Sequence, residues 1–181
     1  MILNSKNNNF LVTIPQNFIY PDIQKRYGTY LKRLPLPYDS VTDYLNASVQ
    51  AMTFPSLSME LVEQTLYEDQ VSAKGGLQPA RYLSREFTMT FKTYEGYINY
   101  WMMYDLLWAY WNLDQKNKYL PDITLTFMDH YGFEFMTVVF KQVIMYGMSE
   151  IELNYSSNTA EFKNFTCNFK YNYIEFKKML Q

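Results

Sequence analysis

The stretch from Tyr94 to Leu113, YEGYINYWMMYDLLWAYWNL, is the most strongly apolar part of the chain. No Pro or Gly interrupts it after Gly96, and its Leu, Met and Ala residues favour a helix. This helix would have almost no polar face, because Asp105 is its only charged residue after Gly96. A helix that is apolar on all sides is usually either buried in protein or inserted in a membrane.

The run from Tyr97 to Leu113 is shorter than the ~20 residues that a bilayer requires, and Asp105 lies in its middle. Burial in protein is therefore the better interpretation. In a chain of 181 residues one helix is difficult to surround completely. The sequence thus raises the question of what covers the outer face of this helix.

The composition indicates one domain over residues 1–181, with 48% hydrophobic and 19% aromatic residues, which argues against disorder. Tyr, Trp, Phe and Met are favoured at protein interfaces. A net charge of −2 argues against a strongly basic nucleic-acid surface. One cysteine excludes an internal disulfide and fits a reducing cytoplasm, and the polar start MILNSKNNNF lacks the apolar core of a signal peptide.

Before the apolar helix, the pattern predicts a short strand from Phe10 to Ile14, and then an irregular or partly helical surface insertion from Gln16 to Ser40. Asp39 or Ser40 could cap a helix from Val41 to Leu45. The pattern then predicts a strand from Ala47 to Phe54.

Residues 58–68 alternate loosely between apolar and polar, and they are followed by a polar, glycine-containing segment from Asp69 to Ala80. Gly75 and Gly76 in that segment suggest a hairpin tip or a flexible loop. A period of two then places Phe87, Met89 and Phe91 on one side of a strand.

Four strands are predicted after the helix: Asp122–Asp129, Phe133–Lys141, Ser149–Tyr155 and Phe165–Tyr173. The sequence DHYG at Asp129 to Gly132 is a suitable hairpin turn between the first two. Strands outnumber helices, so the sequence predicts a mainly β (α+β) fold, an antiparallel barrel or sandwich with one long flanking helix and the N-terminal insertion.

Catalytic, cofactor-binding and metal-binding sites are not indicated. His130 is the only histidine and lies in the predicted turn, and Cys167 falls on the apolar side of the last strand, where an inert thiol is expected. Glu150 and Glu152 share one strand face, but that face looks solvated, so a surface feature is favoured over an acid–base pair.

Several local sequences resemble those of the tail-tube proteins of tailed bacteriophages. They are NFLVTIP at the N-terminus, SVQAMTFPSLSMELVEQT, GGLQPARYLSREFTMTFKT before the aromatic helix YINYWMMYDLL, the hairpin DITLTFMDHYGFEFMTVVFKQV, and SEIELNYSSNTAEFKNFTCNFKYNYIEF. Beyond the short N-terminal strand, the resemblance covers most of the chain from Ala47 to Phe176.

The resemblance implies a structural, non-enzymatic subunit that assembles into a ring, usually hexameric. Rings stack into a tube through which DNA passes without specific binding, and related folds occur in the type VI secretion tube and in baseplate proteins. It also implies that the partners are other tail or baseplate proteins and a sheath, and that the protein does not associate with a membrane. The protein would be located in the virion after synthesis in the host bacterial cytoplasm. The insertion at Gln16 to Ser40 leaves open a specialised ring at one end of the tube.

Two sets of residues are expected to serve this assembly. The helix is expected to pack on its own sheet through Ile98, Trp101 and Met102. The subunit interface is expected to include Tyr100, Tyr104, Trp108, Trp111, Gly75 and Gly76. Residues 58–80 are expected to form either an arm toward the next ring or a solvated hairpin. The lumen candidates are Glu150, Glu152, Asn154, Thr124 and Thr126. The alternative from another class is a monomeric β-barrel that binds a small apolar ligand.

Overall fold

The computed structural model describes residues 9–33, 38–56, 61–66, 69–74, 85–112, 118–151 and 163–178. These ranges contain ten strands and three α-helices. In chain order they are β1 (Phe10–Thr13), α1 (Pro21–Leu31), α2 (Val41–Ser48), β2 (Val49–Met52), β3 (Leu61–Leu66), β4 (Asp69–Lys74), β5 (Glu86–Lys92), α3 (Ile98–Asn112), β6 (Ile123–Met128), β7 (Glu134–Lys141), β8 (Ile144–Met148), β9 (Asn164–Lys170) and β10 (Tyr173–Lys178).

The strands form two four-stranded antiparallel sheets and one separate hairpin. The first sheet has the order β1-β6-β7-β10 and the second the order β2-β5-β9-β8, while β3 and β4 pair with each other as a two-stranded sheet. The predicted mainly β fold with a long helix is confirmed. Of the two architectures left open, the described strands form two open sheets and not a closed barrel.

The core lies between the inner faces of the two sheets, where the period-2 pattern predicted it. Phe87 pairs in register with Phe169 on β9, and their rings stack with centroids 5.1 Å apart. The Phe87 ring also lies 4.6 Å from that of Phe140 on the opposite sheet. Because these side chains are fully buried against one another, the space between the sheets is filled with protein side chains.

The segment from Gln16 to Ser40 was predicted to be a surface insertion, and the structure corrects this in part. Its partly helical character is confirmed by a 3-10 turn at Gln16–Phe18 and by α1. However, Phe18 and Ile23 are buried, and the Phe18 ring lies 6.5 Å from that of Phe169. The segment therefore helps to close the core, because its apolar side chains recur on one face of the helical turns.

Helix α2 begins as predicted and ends later. The Asp43 N–H donates to Ser40 Oγ at 3.0 Å, so Ser40 is the N-cap. The helix continues to Ser48, whereas the sequence interpretation ended it at Leu45 and began a strand at Ala47. The reason is the helical spacing of its buried positions, Val41, Tyr44, Leu45 and Ser48.

The polar segment from Asp69 to Ala80 was not assigned a strand, and its described part, Asp69–Lys74, forms β4. Leu61 pairs with Lys74 and Leu66 with Asp69. The missed signal is a weak alternation in the sequence, where Val71 and Ala73 follow Gln70 and Ser72. Gly75 and Gly76 lie outside the described residues.

The predicted strand Ser149–Tyr155 is wrong in its described part, since residues 149–151 are not in a strand. The third strand after α3 is instead β8, Ile144–Met148. A tight turn precedes it, with Gln142 at a φ of +55° and its Oε1 accepting from Asn172 Nδ2 at 3.0 Å. The predicted last strand is also split, because β9 ends at Lys170 and β10 begins at Tyr173.

Candidate assembly surface

Helix α3 is positioned by a change in chain direction just before it. Gly96 has a φ of +71° and Tyr97 a φ of +55°, after which the helix runs from Ile98 to Asn112. Glycine is suited to this conformation because it has no Cβ. At the same end the buried Asn99 donates from Nδ2 to the Lys92 backbone oxygen at 2.6 Å, which ties the helix to the end of β5.

One face of α3 is exposed to solvent although it carries the largest side chains of the helix. Its exposed aromatic residues follow one another at intervals of three, four and three positions, so they lie along a single side of the helix. Their exposed fractions range from 46% to 61%. They are Trp101, Tyr104, Trp108 and Trp111, and we call this set the aromatic stripe. Within the described residues, the chain leaves the outer face of its central helix largely uncovered.

The structure corrects the assignment of two residues on this helix. Trp101 was expected to pack on the chain's own sheet, but it is half exposed and belongs to the stripe. Tyr100 was expected at an interface, but it is only partly exposed, and its ring packs edge-on against that of Phe165 at 5.3 Å. The predicted burial of Ile98 and Met102 is confirmed.

Tyr104, Trp108 and Trp111 are exposed, as contact with another subunit would require, and that contact stays a prediction. Part of the stripe is held in place. Trp111 donates from Nε1 to the Met145 backbone oxygen on β8 at 2.9 Å, and the rings of Trp101 and Tyr104 pack edge-on at 5.9 Å. Side chains held in one position lose less conformational freedom when they bind, so this surface is partly preorganised.

A polar cluster borders the stripe at Asp105, which connects α3 to α1. Its Oδ2 accepts from Arg26 Nη1 and from the Tyr27 hydroxyl, each at 2.7 Å. Partial burial and, secondly, the hydrogen bond to the Asp105 carboxylate raise the pKa of Tyr27 to about 12. The single acid of the apolar helix thus holds a second helix beside the stripe.

Changing Asp105 to Asn is expected to lower the free energy of unfolding by about 1 kcal/mol, since charge-assisted hydrogen bonds are lost at a partly exposed site. Asn has a similar helix propensity, so the change isolates the charge. Urea unfolding of the dissociated subunit measures this. The control is Asp39→Asn, at an exposed acid before α2, which should change little. If both variants lowered the free energy of unfolding equally, Asp105 would not be what connects α3 to α1.

Alkaline pH is expected to destabilise the fold through Tyr27. Its pKa is about 12 in the folded state and ordinarily near 10, so the folded chain keeps a proton that the unfolded chain loses. The stabilising contribution is complete below pH ~10 and is lost as the pH rises toward ~12. Urea midpoints measured from pH 8 to 11.5 should fall above pH 10, and Tyr27→Phe should fall less. If the urea midpoint fell equally with pH in the unmodified chain and in Tyr27→Phe, the role of Tyr27 would be contradicted.

The lumen candidates are spread over both sheets. Thr124 lies on the outer face of the first sheet, in register with Thr13 on β1 and Val139 on β7. Thr126 shares that face but is only 6% exposed, because its small side chain lies between Leu11 and Thr137 in the adjacent strands, so it offers little polar surface.

Glu150 is exposed just beyond β8, at the edge of the second sheet. Glu152 and Asn154 lie outside the described residues. Glu150 therefore follows an edge strand of the second sheet, whereas Thr124 lies on a strand of the first, and the structure does not bring these two candidates together on one strand face.

Charged side chains on the outer faces of the sheets are paired across strands. Lys141 Nζ lies 2.5 Å from Glu175 Oε2, and Lys170 Nζ lies 2.9 Å from Glu86 Oε1. The hydrogen bond from Lys141 lowers the pKa of Glu175 below its ordinary value. These pairs reduce the net field that each face presents.

A second exposed aromatic surface was not recognised in the sequence. It comprises the turn between β6 and β7 and the first two residues of β7, residues 129–135, and we call it the hairpin tip. Asp129 Oδ1 accepts from the Tyr131 and Phe133 N–H groups at 2.8 and 2.9 Å, and Gly132 has a φ of +88°. Tyr131 and Phe133 are 76% and 72% exposed. The signal was present in the alternation of aromatic residues at 131, 133 and 135, which continues past the turn.

The described residues offer little reactive chemistry. Burial raises the pKa of the Cys167 thiol well above its ordinary value, as expected of an inert core cysteine. In the ranges that the structure covers, no cluster of three His, Cys, Asp or Glu side chains could hold a metal ion. Among the helices described, none has both the length and the apolar character to cross a membrane.

Comparison with known proteins identifies the class of structure to which this fold belongs. No protein-family model matches the sequence, and no curated protein matches it. Solved structures do match over almost the whole chain, and they are tube, cap and baseplate components of contractile injection systems. At sequence identities near 10%, this likeness establishes a shared fold.

Three of these structures can be named. A chain of the anti-feeding prophage baseplate, a structure with imposed 6-fold symmetry, has a TM-score of 0.59 at 9% identity, covering 98% of both chains. A chain of the cap that terminates the anti-feeding prophage tube has a TM-score of 0.54 at 10% identity, covering 98% of this chain and 93% of that one. A chain of the PVC sheath–tube complex has a TM-score of 0.52 at 12% identity, covering 97% and 93%.

Proposed function

We propose that this chain is a structural subunit of a phage tail tube, which assembles into stacked hexameric rings around a DNA-conducting lumen. The observation that carries the proposal is the aromatic stripe, Trp101, Tyr104, Trp108 and Trp111, left exposed along the central helix. Contiguous apolar surface of this kind marks an interaction site. The fold shared with tube, cap and baseplate chains supports a tube-like structural role for that interaction.

The size of the stripe supports assembly through several contacts and not through this one alone. Four aromatic side chains, each about half exposed, present roughly 400 Å² of surface. Burying that area is worth on the order of 10 kcal/mol, whereas association costs roughly 4–15 kcal/mol. The stripe therefore roughly balances the cost of association, and a closed ring supplies the remaining stability by repeating the contact and adding others.

The open edges of the two sheets support the same proposal. Among the described strands, β1 and β10 are the edges of the first sheet, and β2 and β8 are those of the second. Exposed sheet edges carry unpaired backbone groups that can join a neighbouring chain. In a ring each edge has a neighbour beside it.

The lumen is proposed to be lined by a polar sheet face with Thr124 or Glu150 as its marker. Threonines and paired charges, such as Lys141 with Glu175, would hold phosphate weakly, which suits DNA that passes without binding. Single cysteines at the two positions would test this in assembled rings. A lumen cysteine reacts with a small maleimide and not with one carrying a long polymer, whereas an outer-wall cysteine reacts with both. If both positions were on the outer wall, the proposal for the lumen would fail.

A ring at one end of the tube is the second candidate function. Its specific support is the likeness to the baseplate chain, which has the highest TM-score of the three and covers 98% of both chains. An end ring would form single rings, whereas a repeating subunit would polymerise into tubes. The monomeric ligand-binding barrel has less support, because the two sheets are open and the space between them is filled by Phe87, Phe140 and Phe169.

Residues 58–80 are proposed to form an arm that contacts the next ring. The support is that, among the strands that the structure describes, β3 and β4 form a separate two-stranded sheet. Deleting Asp69 to Ala80 should leave rings that no longer stack. The matched control replaces the same residues with a Gly-Ser linker of equal length. Tubes of normal length from the deletion variant would exclude the arm.

The ring itself is tested by native mass spectrometry of the purified chain over a range of concentrations. The proposal predicts a species of six times the 21.7 kDa subunit mass, or larger multiples from stacked rings. The proposed partners are other copies of the chain, then tail, baseplate and sheath proteins of an injection particle, in which the chain is located after synthesis in the host cytoplasm. A monomer at every concentration would contradict this.

A further inference from the structure

The hairpin tip and the Trp111 end of the aromatic stripe lie at opposite ends of the β6–β7 hairpin. The hairpin tip is at the turn that joins the strands. At the other end, Leu120 pairs with Val143, Tyr110 at the end of α3 donates to the Lys118 backbone oxygen at 2.6 Å, and Trp111 bonds to Met145. The six residues of β6 separate these ends by ~20 Å.

The surroundings of the two surfaces differ in charge. The hairpin tip contains the acids Asp129 and Glu134, and no Lys or Arg lies between residues 129 and 135. The aromatic stripe is flanked by α1, which packs beside α3 through the bond from Arg26 to Asp105. Residues 21–33 carry one exposed acid and several exposed basic side chains. The acid is Asp22, and the basic residues are Lys25, Arg26, Lys32 and Arg33.

The two surfaces are unlike in charge, alike in aromatic character and separate from each other on the molecule, and such surfaces fit a head-to-tail contact between copies. We propose that the hairpin tip of one subunit packs on the aromatic stripe of the next. This inference rests on the proposed function, and it names the two halves of the subunit interface. Tyr131 and Phe133 supply the inserted side chains, and Glu134 faces the basic flank formed by α1.

A mixing experiment separates this contact from a symmetric one. The tip variant is Tyr131→Ser with Phe133→Ser, and the stripe variant is Trp101→Ser with Trp108→Ser; Trp111 is left intact because it bonds to Met145. All four positions are half or more exposed, so circular dichroism and thermal unfolding should match those of the unmodified chain. Each variant alone should be monomeric in sedimentation velocity. Mixed in equal amounts at high protein concentration, they should form a weak one-to-one dimer that does not grow, because one intact tip meets one intact stripe and no ring closes to add further contacts.

The outcomes are distinct. If the tip variant assembles like the unmodified chain while the stripe variant does not, the head-to-tail contact is wrong and the proposed function stands. If the tip variant formed dimers alone, the stripes of two copies would be pairing with each other, and the head-to-tail contact would also be wrong. A mixture that stays monomeric would overturn it as well. If the unmodified chain is itself monomeric, the proposed function fails.

The charge part of the contact is tested by a graded series at Glu134. Glu134→Gln should weaken assembly about twofold and Glu134→Lys about fivefold or more at low salt. Both differences should shrink at about 0.5 M salt, where screening is strong. Equal assembly of all three proteins at low salt would show that the tip does not face the basic flank.

Discussion

Trp108→Ala is expected to weaken assembly at least 30-fold while leaving the folding of the subunit almost unchanged. The side chain is 61% exposed and lies near the centre of the aromatic stripe. Large aromatic residues at the centre of an interface commonly contribute 2 kcal/mol or more to binding, and 2 kcal/mol corresponds to about 30-fold. Sedimentation equilibrium measures the change in association, and urea unfolding of the dissociated subunit measures folding, where the loss should be within ~0.5 kcal/mol.

The matched control is Trp111→Ala, on the same face of the same helix. It removes a similar exposed ring but also the hydrogen bond to Met145 on β8, so it should lower both assembly and the free energy of unfolding. If Trp108→Ala assembled normally and unfolded more easily instead, the stripe would be part of the chain's own core packing.

Phe87→Ala is expected to have the largest effect on folding, a loss of roughly 3–5 kcal/mol in the free energy of unfolding. Phe87 is fully buried, stacks on Phe169 and contacts Phe140 on the other sheet, so its removal leaves a cavity between the sheets. That loss is a large part of the total stability of a typical domain, ~5–15 kcal/mol. Chemical unfolding of the dissociated subunit measures it.

Phe133→Ala is the matched control for that change, since it removes the same side chain from an exposed position on the hairpin tip. Its effect on unfolding should stay within ~0.5 kcal/mol, although we expect it to weaken assembly. Comparable losses of stability in the two variants would mean that the sheets do not pack through Phe87.

The sequence predicted the core of the sheets well because burial on one face leaves a period of two. Phe87, Met89 and Phe91 alternate with polar residues, and all three are buried. The same reasoning failed for β8, because Ile144 to Met148 has no clear alternation and contains an irregular register between Met145 and Gly147. The more regular pattern at residues 149–155 was therefore interpreted as the strand.

The candidate site was predicted only in outline. An apolar helix with no polar face gives no indication of which side is buried, so the sequence assigned Trp101 to the chain's own packing and Tyr100 to an interface, whereas Trp101 is half exposed and Tyr100 is partly buried. In the structure Tyr100 packs on Phe165, and that contact joins residues 65 positions apart in the chain. Only the three-dimensional arrangement of the sheets determines the rotation of the helix.

The hairpin tip illustrates a different limit. The turn at Asp129 to Gly132 was predicted from its residue types, and it is confirmed by the bonds of Asp129 Oδ1 to the Tyr131 and Phe133 N–H groups. The exposure of the aromatic residues around it was not predicted, because alternating aromatic residues ordinarily indicate a buried strand face. Here the alternation continues past the end of the core.

The central claim is that this chain exists as a ring built on the aromatic stripe, and electron microscopy of the purified chain tests it most directly. The account predicts closed rings with a central opening, alone or stacked into tubes, and their loss in Trp108→Ala at the same protein concentration. A field of uniform particles of the size of one 21.7 kDa subunit, unchanged by that substitution, would contradict it.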